Sequence, residues 1–147
     1  MKISTKVEYG IVALIDIAIN SKNGEVVTIM SISERQGISR NYLEQIITPL
    51  RQAKLIRGTK GAQGGYTLTI TPEKLKLSTI LEALDSCFLN FNFENSMKCN
   101  DDAIKTIKDS LWSKMDVKIK EIAENITLKD LADDYEKGIA SSVMFYI

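Results

Sequence analysis

Apolar residues recur at helical spacing in STKVEYGIVALIDIAINS, where Val7, Ile11, Leu14, Ile15 and Ala18 predict a first helix over residues 4–21, capped by Ser4 or Thr5. Thr28 is then a candidate cap for a short helix that turns Ile29 and Ile32 inward; Gly37 breaks it and Ser39 caps the next. In that next helix Leu43, Ile46, Ile47 and Leu50 fall at i, i+3, i+4 and i+7. They face a core and leave Arg40, Asn41, Glu44, Gln45 and Arg51 largely outside. Pro49 lies inside the pattern and, lacking an N–H, is expected to kink the helix or loosen its last turn. The period then drops to two, because Tyr66, Leu68 and Ile70 alternate with Thr67, Thr69 and Thr71 as in a half-buried strand. LSTILEALDS reads as a short helix with Ile80, Leu81 and Leu84 buried, and a long, less regular connection follows. From Asp101 onward Ile104, Ile107, Leu111, Met115, Ile119 and Ile122 recur every three or four residues, with Trp112 alongside. This is a long amphipathic helix whose stripe needs a partner.

The stretch RGTKGAQGGYTLTIT, residues 57–71, decides what these elements are for. A phosphate-cradling Walker loop needs Gly-Lys-Ser/Thr running into a helix, but here Lys60 precedes Gly61 and a strand follows. The GxxG clamp of RNA-binding KH domains joins two helices, which also does not fit. A hairpin tip does. Two short helices about a glycine turn, followed by a basic glycine-rich hairpin, compose a winged helix-turn-helix, so the predicted class is mostly α with a small β-hairpin. Its second helix is expected in the major groove of double-stranded DNA. Arg57 and Lys60 supply charge, with Gln63 at the tip, where glycines permit close approach to the backbone.

Charge changes this picture in one respect. The chain has 19 basic and 19 acidic residues, yet residues 1–72 carry 9 Lys/Arg and 5 Asp/Glu (9 − 5 = +4) and residues 73–147 carry 10 and 14 (10 − 14 = −4). One half suits a polyanion and the other does not. With 147 residues and 44% hydrophobic content, the chain has the size of one domain, or of one domain with an appendage. The apolar run YGIVALIDIAI is short and interrupted by Asp16, so neither a targeting signal nor a membrane span is expected, and a cytoplasmic protein is. There is no histidine, which removes the Ser-His-Asp and Cys-His constellations, and no enzyme is expected.

The segments MKISTKVEYG, NYLEQIITPLRQAKLI, KGAQGGYTLT and, more weakly, ITLKDLADDY resemble the Rrf-two family of bacterial transcription regulators over nearly the whole chain. The resemblance implies a homodimer on a dyad-symmetric operator. It implies a winged helix-turn-helix over residues 1–85 with the first helix also at the dimer interface, a sensor loop over 86–100, and a dimerisation helix with a C-terminal tail over 101–147. Residues matching Ser39, Asn41, Tyr42, Glu44 and Gln45 lie at the DNA in relatives. Many relatives have Arg-Gly where this chain has Lys60-Gly61, and Lys lacks the planar fork of Arg. Cluster-binding members carry three closely spaced cysteines in the sensor loop; this chain has Cys99 there and Cys87 earlier, with Glu8 where some relatives supply an acidic ligand. An iron–sulfur cluster takes four ligands, so no cofactor is expected, with a cluster on Cys99, Cys87 and Glu8 as the alternative. The chain looks closest to the cluster-free cysteine-metabolism repressors. Their partner, cysteine synthase, captures a C-terminal isoleucine, and the resemblance makes Phe145, Tyr146 and Ile147 the matching tail.

Overall fold

In the computed structural model, which describes residues 2–90 and 100–145, helix α1 (Thr5–Asn20) is the post on which the later elements pack. Ser4 caps it, its hydroxyl oxygen accepting from the Val7 N–H at 3.3 Å. Val7, Leu14, Ile17 and Ala18 are buried, while Ile11 and Ile15 are half-buried against the same core. Helix α2 (Ile29–Gln36) starts at Thr28, whose hydroxyl accepts from the Ser31 N–H at 3.0 Å, and stops at Gly37 in the left-handed conformation, φ 69°. Helix α3 (Arg40–Gln52) starts at Ser39 and buries Leu43, Ile46, Ile47 and Leu50, as the spacing predicts. Pro49 does not end it. The one backbone bond that Pro49 cannot make belongs to the carbonyl of Gln45, a solvent-exposed residue, and the helix continues to Gln52.

Strands β1 (Ile56–Thr59) and β2 (Gly65–Leu68) pair antiparallel, with Ile56 opposite Leu68 and Thr59 opposite Gly65. Val27 adds a one-residue third rung, exchanging backbone hydrogen bonds with Tyr66 at 2.9 and 2.7 Å. The expected alternation of burial along Tyr66–Thr71 is absent from β2, where all four residues are half-buried. The hairpin is covered in part on both faces, by the helix-turn-helix on one and by elements lining a cavity on the other.

Helix α4 (Leu77–Leu84) buries Ile80, Leu81 and Leu84 and lies close to α1: a Cβ on Gly10 would sit 2.5 Å from both methyl groups of Leu84. The predicted long helix runs from Asp101 to Asn125 as α5 (Asp101–Ile107), a π-helical turn (Lys108–Trp112) and α6 (Ser113–Asn125). A short link then reverses the chain. It is tied to the segment after the hairpin by Leu77 N–H to Ile126 O and Leu128 N–H to Leu75 O, both 2.8 Å.

The segment that the resemblance makes a C-terminal tail is, in its described part, helix α7 (Leu128–Phe145), which packs along α1. Its start explains why. Thr127 and Asp130 form a reciprocal cap: the Thr127 N–H donates to the Asp130 carboxylate at 2.9 Å, and the Asp130 N–H to the Thr127 hydroxyl at 3.2 Å. The Thr127 N–H and then the Thr127 hydroxyl, both donating to the Asp130 carboxylate, hold that carboxyl below its ordinary range. Leu128 and Ala132 anchor the first turns in the core.

Candidate nucleic-acid interface

Capping by Ser39 fixes where α3 begins, its hydroxyl accepting from the Tyr42 N–H at 3.3 Å, and thereby which residues stand at the N-terminal end. Arg40, Asn41, Glu44, Gln45, Thr48 and Arg51 are all exposed and occupy one continuous arc of about 140°, at roughly 100° per residue. Tyr42 sits differently from the other candidates. It is half-buried, its ring edge-on to Tyr9 of α1 at 5.6 Å and 85°, so its aromatic body braces the helix against α1.

The hairpin tip carries Lys60, Gly61, Ala62 and Gln63, all exposed. Its glycines have separate reasons: Gly61 holds φ 110°, while a Cβ on Gly64 would run into the carbonyl oxygen of Thr59. Between the tip, the start of α2 and the end of α3 lies a shallow groove of about 340 Å³, lined by Thr28, Arg51, Gly58, Lys60 and Tyr66 among others. The arc of α3 and the tip are thus linked through a groove carrying two cations, Arg51 and Lys60. Successive side chains of a strand point to opposite faces. Arg57 accordingly does not line this groove; with Thr67, its partner in register, it lines a cavity on the other side of the hairpin.

A feature that sequence reading missed holds α2 in place. Asp16 of α1 is buried, and its carboxylate accepts from Arg35 Nε at 2.9 Å, Arg35 Nη2 at 2.6 Å and Gln36 Nε2 at 2.8 Å. The hydrogen bond to Asp16 keeps the Arg35 guanidinium charged above its ordinary value. The signal was present in the sequence, since an Asp between Ile15 and Ile17 on a buried helix face demands a donor.

On the long helix, Ile107, Leu111, Met115 and Ile122 are 44–57% exposed in the single chain, and Ile104 and Ile119 are half-buried. Val117 adds to the exposed apolar surface. Of the candidate ligands, Cys87 and Glu8 are exposed, Cys99 lies outside the described residues, and no group of three ligating side chains comes together among those described. Tyr146 and Ile147 also lie outside the described residues, and Phe145 closes α7. No described helix is long and apolar enough to cross a membrane.

Residues 3–134 match the family model described as Rrf2, iron-dependent transcriptional regulator. The HTH-type transcriptional regulator CymR of Bacillus subtilis is 35% identical over 148 residues, covering all of both chains. The solved structure of CymR, described as the global cysteine regulator of B. subtilis, superposes with a TM-score of 0.76 at 30% identity over 90% of this chain and 97% of that one. That of T. potens IscR gives 0.71 at 36% identity over 94% and 90%. The family description names iron; with two thiols and no imidazole, this chain would have to complete a four-ligand cluster with carboxylates such as Glu8, and no such group comes together among the described residues.

Proposed function

The chain belongs to the Rrf2 family of transcriptional regulators, and from that premise we propose that it is a homodimeric repressor of cysteine and sulfur metabolism genes that reads a dyad-symmetric operator. The observation that supports the DNA-binding surface best is the capped α3, with its exposed arc joined to a glycine-built wing through one groove. In this reading Ser39, Arg40, Asn41, Glu44 and Gln45 approach base edges and the neighbouring backbone, and Tyr42 holds the helix at its angle. Arg51, Lys60 and Gln63 contact phosphate or the minor groove, and Arg57 adds charge from the far face of the hairpin. The stripe Ile104, Ile107, Leu111, Met115, Ile119 and Ile122 meets a second copy, which sets two α3 helices on successive turns of the duplex. Cysteine regulation rests on the likeness to the cysteine regulator of B. subtilis. Cysteine synthase as a partner of the tail rests only on the resemblance of the sequence to the cysteine-metabolism repressors.

Salt dependence tests this directly. If the dimer makes several phosphate contacts, operator affinity falls by about 10³ to 10⁵ between 50 and 200 mM salt. Lys60→Ala flattens that slope while keeping base preference, and Gln45→Ala relaxes preference instead. An isotherm indifferent to salt would remove DNA as the ligand.

A further inference from the structure

Behind the wing lies a cavity of about 540 Å³, a volume typical of small-molecule sites, walled by both strands, the C-terminal end of α1, the segment after β2 and the first turns of α7. Its apolar walls include Ala18, Val26, Leu68 and Ile70. Three cations and three anions line it, so the site has no net charge: Lys22, Arg57 and Lys129 against Glu73, Asp133 and Glu136. Four of the six are mutually satisfied. Lys22 pairs with Glu136 at 3.4 Å, and Lys129 pairs with Asp133. Arg57 and Glu73 belong to neither pair, although Glu73 lies close enough to Lys129 to help hold its ammonium charged. Opposite Arg57 in the ladder, the Thr67 hydroxyl oxygen is shut off from water and has no hydrogen-bond partner among the described residues.

We propose that this cavity binds a small zwitterion, a free amino acid or dipeptide, with its carboxylate on Arg57, its ammonium on Glu73 and its apolar part against the wall. A fork of guanidinium donors matches a carboxylate, and a zwitterion matches a cation and an anion on the wall of a site of zero net charge. Because β1, β2 and α7 all contribute to the wall, an occupant ties the hairpin to the C-terminal helix and sets how the wing meets DNA. The proposal deepens the regulator reading and rests on it for this second half: the cavity would be where the signal enters.

The test uses the full chain and a panel of L-amino acids and dipeptides, each beside its N-acetyl and C-amide derivatives, in thermal unfolding without DNA. At about 100 times its Kd a true ligand raises Tm by about 5–10 °C. At least one zwitterion is expected to do so while its blocked derivatives do not, and the exposed Glu73→Gln variant is expected to melt like the parent but to lose the response. A panel without any shift, or a shift retained by the N-acetyl derivative or by Glu73→Gln, overturns the site. The same ligand is expected to change operator affinity by about 5- to 150-fold, and unchanged affinity overturns the link to the wing. Failure to bind DNA both without ligand and with every member of the panel would strike the regulator reading instead, and leaves the melting result to decide the cavity.

Discussion

Arg35 is the side chain on which the seat of α2 depends, because Asp16 is enclosed and receives two of its three hydrogen bonds from that one guanidinium. The pair is unsymmetrical, the Asp16 side chain fully buried and that of Arg35 40% exposed. Solvent screens the arginine, so losing the aspartate would strand little charge, whereas losing the arginine leaves a buried carboxylate with Gln36 alone. Arg35→Ala is expected to lower stability by about 2–4 kcal/mol in urea unfolding, and Arg35→Lys to recover only part, since an ammonium cannot reproduce the two-point contact. A loss below about 0.5 kcal/mol, the range of ordinary surface changes, would show that α2 is held by packing alone. Core positions on α3 were legible from spacing because burial of an apolar stripe is a periodic property. The identity of the Asp16 partners was not, because they lie 19 and 20 residues away and only the fold brings them together.

At the scale of elements, the signals that the structure bears out are local ones: caps at Ser4, Thr28 and Ser39 and the break at Gly37, whereas the strand at the hairpin forms without the expected alternation of burial. Helix α7 has no counterpart in the sequence reading, which places a C-terminal tail there, although Thr127 and Asp130 spell a cap. The π-helical turn at Lys108–Trp112 has no counterpart in the pattern, since a stripe spaced by three and four residues reads the same whether or not one turn is wide. The hairpin tip was read as glycine-rich, but which glycines are indispensable depends on distances. Gly64 faces the Thr59 carbonyl and Gly65 would place a Cβ 2.8 Å from the Val27 oxygen, both contacts to backbone that cannot step aside. Gly64→Ala is therefore expected to rearrange the tip and weaken operator binding at least as much as Lys60→Ala, with the helical circular dichroism unchanged. Parental DNA affinity in that variant would take the tip out of the interface.

At the scale of the whole molecule, the apolar stripe on α5 and α6 is exposed in the single chain, whereas most other large apolar side chains among the described residues build one core, which supports the proposed pairing with a second copy. Pairing through this stripe buries the exposed side chains and places the two basic halves on one operator. Leu111→Asp puts an unpaired charge in that seam, so sedimentation is expected to show monomers or aggregates in place of a dimer. A folded dimer carrying Leu111→Asp would move the interface to another face.

The chain end poses the remaining question at this scale, because α7 anchors its beginning in the core and exposes more apolar surface toward its end, with Ile139 47%, Val143 54% and Met144 77% accessible. A helix fixed at one end and apolar at the other either covers a neighbouring surface of its own dimer or presents its terminus to a partner. The two differ in what removal does. A terminus that covers the dimer contributes to stability, whereas one held by an enzyme pocket through its final carboxylate contributes only to that complex. Deleting Phe145–Ile147 is expected to leave melting and sedimentation unchanged and to abolish binding to cysteine synthase, with Ile147→Asp abolishing binding likewise because an apolar pocket rejects a charge. A lowered Tm, together with an intact chain that does not bind the synthase in equilibrium titration, would assign the terminus to the dimer and withdraw the enzyme as partner.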